Sequence, residues 1–198
     1  MKRFVVLITC CAAALAALPP VGASATSRHG AQAHSEGSEI SFAEFVARFG
    51  PKDPMAQARI LAGGFTIRNR YSKKCLDADP GQSWDGGQVY LWDCNGTEWQ
   101  KWTFTSQDDR NAVHAYDGRV LDAVLNDTNG SAITRYRWRG WSDGGDWNQQ
   151  WKFYTSGEIK SAWNRRCLDG DPAQKDSKPQ RTWLWDCNGE DWQKWDLD

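Results

Sequence analysis

Three aspartates recur at matching places along the chain and could bind a ligand. Asp77, Asp122 and Asp169 each follow a leucine, in the tripeptides Cys-Leu-Asp, Val-Leu-Asp and Cys-Leu-Asp. An ionised carboxylate accepts two neighbouring hydroxyl protons at once. The chain also has 13 Trp, and exposed aromatic rings stack on the C–H faces of hydroxyl-rich molecules. The combination indicates a binding site for such a molecule, and the alternative is that each aspartate is a solvated turn residue.

The composition argues against several other functions. With 24 Lys+Arg and 25 Asp+Glu the net charge is −1, so no basic excess exists to bind nucleic acid. The chain has three His, and only His114 lies within the region dense in aromatic residues, so no Ser/His/Asp or Cys/His arrangement is available there. The acidic pairs Asp77/Asp79 and Asp169/Asp171 lack the later Gly and Glu of an EF-hand calcium loop. We therefore predict no catalysis, no metal and no cofactor.

Internal repeats determine where the aspartates lie. The sequence repeats itself three times, over residues 64–107, 108–156 and 157–198. Each copy closes on Gln-x-Trp, at Gln100–Trp102, Gln149–Trp151 and Gln193–Trp195. Within each copy, short alternating apolar stretches are separated by pairs such as Asp-Gly and Asn-Gly, which is typical of strands and turns. The pattern predicts an all-β domain in which three units share one core, and we expect the closing tryptophans in that core.

The N-terminal residues have the pattern of a signal peptide. Two basic residues precede an apolar run at residues 4–18, and residues 23–25 form a small-x-small cleavage pattern. The run is too short to span a membrane. We predict that residues 1–25 are removed by cleavage after Ala25 and that the protein is secreted, without membrane insertion. Acylation of Cys10 in a lipobox is the alternative.

The cysteines follow the repeats. The mature chain keeps four, and an even number favours disulfides in a secreted protein. The first and third repeats each contain two, whereas the second has Val120 and Trp138 at the equivalent positions. Each disulfide should therefore lie within its own repeat, as Cys75–Cys94 and Cys167–Cys187.

Residues 26–63 are predicted to form a disordered spacer followed by a short helical extension. Residues 26–39 contain little that could be buried. Ser41 and Glu44 can then form a capping box. Apolar residues follow at helical spacing, namely Phe42, Phe45, Val46 and Phe49. A second short helix is predicted between Asp53 and Gly63. The apolar face of the first helix either packs on the domain or, from Ser41 to Phe49, binds a partner protein.

These motifs resemble the ricin B-chain type of β-trefoil lectin, also called carbohydrate-binding module family 13. Three copies of Cys/Val-Leu-Asp and of Gln-x-Trp stand in register, and Leu-Trp-Asp-Cys-Asn-Gly occurs at residues 91–96 and again at 184–189. The resemblance covers residues 64–198 and implies a β-trefoil of three pseudo-threefold repeats, in which a barrel is closed by a cap of hairpins.

The resemblance also implies which residues bind sugars. A stacking aromatic is expected at Trp92, Tyr136 and Trp185 in the three repeats. The glutamine of Gln-x-Trp is expected to position the aspartate, and an Asn before it to bond a sugar hydroxyl. The candidate residues are Asp122, Thr134, Tyr136, Asn148 and Gln149 in the second repeat, Asp77, Tyr90, Trp92 and Gln100 in the first, and Asp169, Trp183, Trp185 and Gln193 in the third.

The second repeat matches the family's motif in full, because Asn148 precedes its glutamine. Trp99 and Trp192 replace that Asn in the other repeats, and a Trp cannot both donate and accept as an amide does. We therefore expect the second repeat to hold the best site, with Asp122 and Tyr136 at the surface. Weaker or altered sites are expected in the other two repeats, where the stacking aromatics either bind sugars or pack against the disulfides.

These observations together predict a secreted lectin. We expect it to bind galactose-type or related sugars on glycans, as polysaccharide or glycoprotein, and not to be an enzyme. Because the acids recur in every repeat, they argue against the single cleft of a glycosidase. One alternative is the cell-binding subunit of a toxin or adhesin complex, with the N-terminal helix as its docking element. Another is a small hydrolase or protease inhibitor on a trefoil scaffold.

Overall fold

The computed structural model describes residues 37–141 and 146–198. The predicted signal peptide, residues 1–25, and most of the predicted spacer lie outside these ranges. The helices are α1 (Phe42–Phe49) and α2 (Pro54–Ala62), and the strands are β1 (Glu39–Ile40), β2 (Ile67–Asn69), β3 (Cys75–Ala78), β4 (Gly87–Trp92), β5 (Trp102–Gln107), β6 (Arg110–Ala115), β7 (Val120–Ala123), β8 (Ser131–Tyr136), β9 (Trp151–Tyr154), β10 (Ile159–Ser161), β11 (Cys167–Gly170), β12 (Gln180–Trp185) and β13 (Trp195–Leu197). Neither of these two helices is long and apolar enough to cross a bilayer.

Strands β2 to β13 form the β-trefoil that the resemblance implied. Each repeat contributes four consecutive strands, and the middle two form a hairpin: β3 with β4, β7 with β8, and β11 with β12. Strands β4, β8 and β12 pair with one another at the cap. The last strand, β13, pairs with β2, so the third repeat closes on the first. Closure covers strand edges that would otherwise be open to other chains.

The closing tryptophans fill the core, as predicted. Trp102, Trp151 and Trp195 are completely buried. Each indole N–H donates to the backbone carbonyl of the leucine that precedes the aspartate of its own repeat, at 3.0, 2.9 and 3.1 Å. The ring therefore contributes both apolar burial and a satisfied polar group, which a buried Trp requires.

The predicted disulfides Cys75–Cys94 and Cys167–Cys187 are both present. In the second repeat, Val120 is buried and Trp138 packs edge-on against Trp141, with their ring centroids 4.7 Å apart. Aromatic packing therefore occupies the place of the disulfide that the other two repeats contain.

A buried arginine breaks the threefold symmetry, and the repeat pattern does not predict it. Arg135 takes the strand position that Leu91 and Leu184 hold in the other repeats. It is fully buried, and its guanidinium donates to the carbonyl oxygens of Ala78 and Asp79 at 2.7 and 2.6 Å. Burying a charge without partners is costly, and these two bonds together with the Asp117 carboxylate at 3.4 Å offset that cost. Arg135 thereby fastens the second repeat to the first.

Helix α1 has the predicted capping box, in which Ser41 and Glu44 exchange hydrogen bonds. Its apolar face is part of the domain core, where Phe42 stacks on Phe104 of β5 with ring centroids 3.8 Å apart. Phe45 packs against Phe153 of β9. The prediction that this face packs on the domain is confirmed. The face that the docking alternative required is therefore covered by the protein itself.

Helix α2 also begins and ends where predicted. The Asp53 carboxylate accepts hydrogen bonds from the backbone N–H groups of Met55 and Ala56, and Gly63 follows the last helical residue. Ile60 is its buried residue, so α2 covers the domain through a small contact.

The residues immediately before α1 are ordered. Strand β1 pairs antiparallel with β9, and the Ser38 N–H donates to the Thr155 hydroxyl at 2.9 Å. Glu39 also forms an ion pair with Lys152 of β9 at 2.7 Å. The prediction of a disordered spacer is therefore wrong for residues 38 and 39.

Replacing Phe45 with Ala should show that α1 belongs to the core. Phe45 is completely buried, so we expect Phe45→Ala to lower the free energy of unfolding by about 3–5 kcal/mol. The matched control is Leu61→Ala on the exposed side of α2, which should change it by less than about 0.5 kcal/mol. Urea unfolding with the disulfides intact measures both. Equal stability of Phe45→Ala and wild type would contradict the packing described here.

Candidate functional site

Each recurring aspartate is held by the glutamine of its own Gln-x-Trp. The amide nitrogens of Gln100, Gln149 and Gln193 donate to the carboxylates of Asp77, Asp122 and Asp169 at 2.8, 2.9 and 2.7 Å. The same amide nitrogens also donate to the backbone carbonyl of the residue that follows the stacking position by one. The glutamines therefore have the positioning role that the resemblance implied.

The aspartates are less accessible than the sequence suggests. Asp77, Asp122 and Asp169 are 3%, 5% and 2% exposed. The expectation that Asp122 lies at the surface is therefore wrong. A buried carboxylate needs donors to replace water, and the glutamine amides supply them.

The first-repeat pocket, of about 210 Å³, opens over Asp77. Trp92 and Trp99 line it as the two large aromatic rings, and Tyr90, directly opposite Asp77 on the paired strand, forms part of the wall. Pro80 and Asn95 complete its lining.

The third-repeat pocket, of about 250 Å³, has the same construction over Asp169. Its lining residues are Asp169, Asp171, Pro172, Trp183, Trp185, Asn188 and Trp192. Six of these seven occupy the positions of the six residues that line the first-repeat pocket, with Trp183 in the place of Tyr90. The Trp183 indole N–H also donates to the Asp169 carboxylate at 2.8 Å. The two pockets are one site built twice.

Trp99 and Trp192 line the two pockets. Because they replace the expected Asn, the motif predicted weaker or altered binding in these repeats. Trp99 packs edge-on against Tyr116, and Trp192 against Tyr71. An amide is still present in each pocket, because Asn95 and Asn188 line it. Sequence reasoning missed both asparagines. The available signal was Cys-Asn-Gly, which occurs only in the first and third repeats.

In the second repeat, the amide expected to meet a sugar is used internally. Asn148 is 2% exposed, and its nitrogen donates to the Asp122 carboxylate at 3.0 Å and to the Ala123 carbonyl at 2.9 Å. Its oxygen accepts from Arg139 at 2.5 Å. Both halves of the amide are therefore engaged within the protein.

Arg139 also changes the surroundings of the second-repeat aromatic. Its guanidinium lies 3.6 Å from the Asp122 carboxylate and 5.6 Å from the centre of the Tyr136 ring. Arg137 lies 5.9 Å from the same ring, and Thr134 is buried. In the repeat that the motif predicts as the best site, the amide is thus engaged within the protein and two arginines lie near the aromatic ring.

Asp79 and Asp171, the second acids of the two acidic pairs, have a local structural role. Asp79 accepts a hydrogen bond from the Gly81 N–H at 2.8 Å, and Asp171 from the Ala173 N–H at 3.0 Å. Each caps a short 3₁₀ turn that begins with a proline beside the pocket. The second repeat lacks this turn's Asp-Pro and instead exposes Val124 and Leu125.

Comparison with known proteins identifies the family. The family model of the ricin-type β-trefoil lectin domain matches residues 63–195, which is more than half of the chain. The chain belongs to the ricin-type β-trefoil lectin family. A lectin domain binds carbohydrate, so this chain is a carbohydrate-binding protein. No match was found among curated protein sequences.

Several solved structures share the fold of this lectin. ThreeFoil, a designed threefold-symmetric protein, is 25% identical with a TM-score of 0.61, and the match covers 68% of this chain and 97% of ThreeFoil. The exo-β-1,3-galactanase 1,3Gal43A from Clostridium thermocellum is 24% identical with a TM-score of 0.55, over 68% of this chain and 30% of that enzyme. The Rhizoctonia solani agglutinin is 18% identical with a TM-score of 0.54, over 68% and 93% of the two chains.

Burial changes the acidity of the lectin's aspartates. Desolvation raises the pKa of Asp169 to about 6, although hydrogen bonds from Gln193 and Trp183 oppose the rise. It also raises the pKa of Asp122 to about 6, against the Gln149 bond and the Arg139 charge, and raises the pKa of Asp77. With a pKa of about 6, Asp169 is mostly ionised near neutral pH, so its carboxylate acts as a hydrogen-bond acceptor in the third-repeat pocket.

The raised pKa of Asp169 should appear as a pH dependence of stability. The folded protein holds this proton more tightly than the unfolded chain, whose ordinary pKa is 3.8. Stability from this group is therefore fully present below that value and lost as the pH rises through about 6. The free energy of unfolding of wild type, minus that of Asp169→Asn, should fall by about 1–3 kcal/mol from about pH 4 to about pH 7.

Urea unfolding at a series of pH values measures this difference, and its slope with pH is the test, because the substitution also alters hydrogen bonds at every pH. Asp191→Asn is the matched control, since Asp191 is exposed on the surface of the same repeat. A difference between wild type and Asp169→Asn that does not vary with pH would contradict the raised pKa.

Proposed function

We propose that the protein is a secreted lectin that binds galactose-type or related sugars at two equivalent pockets, in the first and third repeats, without turning them over. One observation carries the proposal: the two pockets share a lining of carboxylate, amide and paired tryptophans.

The lining suits a pyranose. Tryptophan faces stack on the C–H groups of the ring, while the carboxylate and the asparagine amide can bond its hydroxyls. A carboxylate has about four acceptor positions, so the bonds to glutamine and tryptophan leave acceptor capacity for a ligand. Because the pockets are small and open, affinity for one sugar unit should be weak, on the order of millimolar. Two pockets on one domain raise the affinity for a dense glycan surface.

Secretion is supported by two independent features. The N-terminal residues have the composition of a signal peptide, and the domain contains two disulfides, which persist in oxidising compartments. The toxin-subunit alternative has no comparable support, because the face of α1 that would bind a partner is buried.

Removing the aromatic platforms tests the assignment of the two pockets. Trp92→Ala and Trp185→Ala should each abolish one of two binding events, and the double variant should lose sugar binding. Each platform should contribute about 1–3 kcal/mol at its own pocket, or about 5- to 150-fold in affinity. A glycan array on the mature protein selects the sugar, and titration calorimetry measures affinity and stoichiometry.

Tyr136→Ala is the matched control, because Tyr136 is the equivalent aromatic in the second repeat and is also half-buried. We expect it to leave binding unchanged. Loss of binding in Tyr136→Ala with full binding in the Trp92/Trp185 double variant would restore the second repeat as the site and overturn the proposal.

Sugar binding should also weaken in acid. A protonated Asp169 loses its charge and part of its acceptor capacity, and its pKa is about 6. In Trp92→Ala, which keeps the third-repeat pocket, we expect affinity to fall several-fold from about pH 7.5 to about pH 5. Titration calorimetry across this range measures it. An affinity that is constant over the range would show that the Asp169 carboxylate does not contact the sugar.

A further inference from the structure

A third pocket lies between the two proposed sugar pockets. It has a volume of about 330 Å³, and its walls come from β4, β8 and β12, the three strands that pair at the cap. We call it the central pocket. Its polar lining residues include Gln88, Tyr90, Gln174 and Arg181. No function described above uses it.

The central pocket shares a wall with the first-repeat pocket. Tyr90 lines both of them. Its neighbour on β4 at the same face, Gln88, lies on the central side and is exposed. A ligand that fills the first-repeat pocket and continues past Tyr90 therefore enters the central pocket.

On its other side the central pocket meets the third-repeat pocket through Arg181. The Arg181 guanidinium lies 4.4 Å from the centre of the Trp183 ring and 2.9 Å from the Asp171 carboxylate. Both of these residues line the third-repeat pocket. Arg181 itself lines the central pocket.

A row of directly opposed strand residues runs from the first-repeat pocket, past the central pocket, to the third-repeat pocket. Asp77 on β3 pairs with Tyr90 on β4, and Tyr90 pairs with Arg181 on β12. The Asp171 N–H then donates to the Arg181 carbonyl at 3.0 Å, next to β11. Three steps between adjacent strands span about 15 Å from Asp77 to Asp171. This length exceeds what one sugar unit covers and suits a short chain of them.

The lining of the central pocket differs from that of the two end pockets in a way that suits interior sugar units. The end pockets are lined by carboxylates and tryptophans. The lining of the central pocket instead contains two glutamines, a tyrosine and an arginine, and no carboxylate. Amides both donate and accept, and a guanidinium only donates. Such groups bond the hydroxyls and bridging oxygens along a glycan chain.

We propose that the three pockets form one groove that binds a linear oligosaccharide, with its ends on the two tryptophan pockets and its interior units in the central pocket. The proposal rests on the proposed function of the end pockets. It adds that the preferred ligand is a stretch of polysaccharide rather than isolated terminal sugars, and that the two pockets act on one chain.

Chain length and a filling substitution test the groove. The probes are galactose, xylose and N-acetylglucosamine, each as the monosaccharide and as its β-1,4-linked tetrasaccharide. For at least one series, titration calorimetry should give one tetrasaccharide per protein, bound about 10-fold or more tighter than the monosaccharide. Gln88→Trp, which fills the central pocket from an exposed position, should remove that gain and leave monosaccharide affinity unchanged.

Thr103→Trp is the matched control, because Thr103 is an exposed strand position on β5 that lines none of the three pockets. It should bind the tetrasaccharide as wild type does. Two tetrasaccharides per protein at the affinity of the monosaccharide would overturn the groove and leave the two-pocket lectin intact. So would a Gln88→Trp variant that retains the full gain. Absence of binding to every probe would overturn the two-pocket lectin and the groove together.

Discussion

The structure depends on one arrangement that occurs three times, in which the buried glutamine and tryptophan of Gln-x-Trp are hydrogen-bonded to the second strand of their own repeat. The tryptophan indole donates to a leucine carbonyl, and the glutamine amide donates to the aspartate that follows that leucine. The two donors are two residues apart, so one short segment places an aromatic ring in the core and an amide on the aspartate carboxylate. A buried carboxylate and a buried indole both need these partners. Core packing and site geometry are therefore fixed by the same few atoms.

Because that arrangement is common to all three repeats, the differences between the repeats at these aspartates come from the residues around it. In the first and third repeats a tryptophan precedes the glutamine and leaves part of the carboxylate facing a pocket. In the second repeat Asn148 takes that position, bonds the carboxylate, and is itself bonded by Arg139. The family's own binding residue thus serves here to satisfy a buried acid. The same repeat carries Arg135 in place of a core leucine, so its polar groups hold the repeats together.

The sequence was sufficient for whatever depends on periodic or local patterns. Three copies in register predict an all-β domain with a shared core, the disulfides Cys75–Cys94 and Cys167–Cys187, and the core tryptophans. The family resemblance adds the β-trefoil, and the capping residues predict both helices. The ranking of the sites that we propose could not be predicted in this way. It depends on Arg139, which belongs to no motif and acts through contacts with Asp122 and Asn148. It also depends on Asn95 and Asn188, which supply the amide from a different segment than the motif does. A hydrogen-bonding group that comes from a different segment than the motif's own is recognised only when the side chains are placed in space.

In the binding role proposed for them, the pocket aspartates place sugar binding and stability in opposition. A carboxylate taken out of water lowers the stability of the folded state near neutral pH, and this is the same physical effect that raises the pKa of Asp169 to about 6. Yet only the ionised form offers a charged acceptor to a hydroxyl. On acidification the group becomes a weaker ligand and a smaller burden on the fold, so the loss of binding through this group does not require any unfolding. The buried tryptophans and the two disulfides, neither of which titrates in this range, maintain the fold while the site changes its charge.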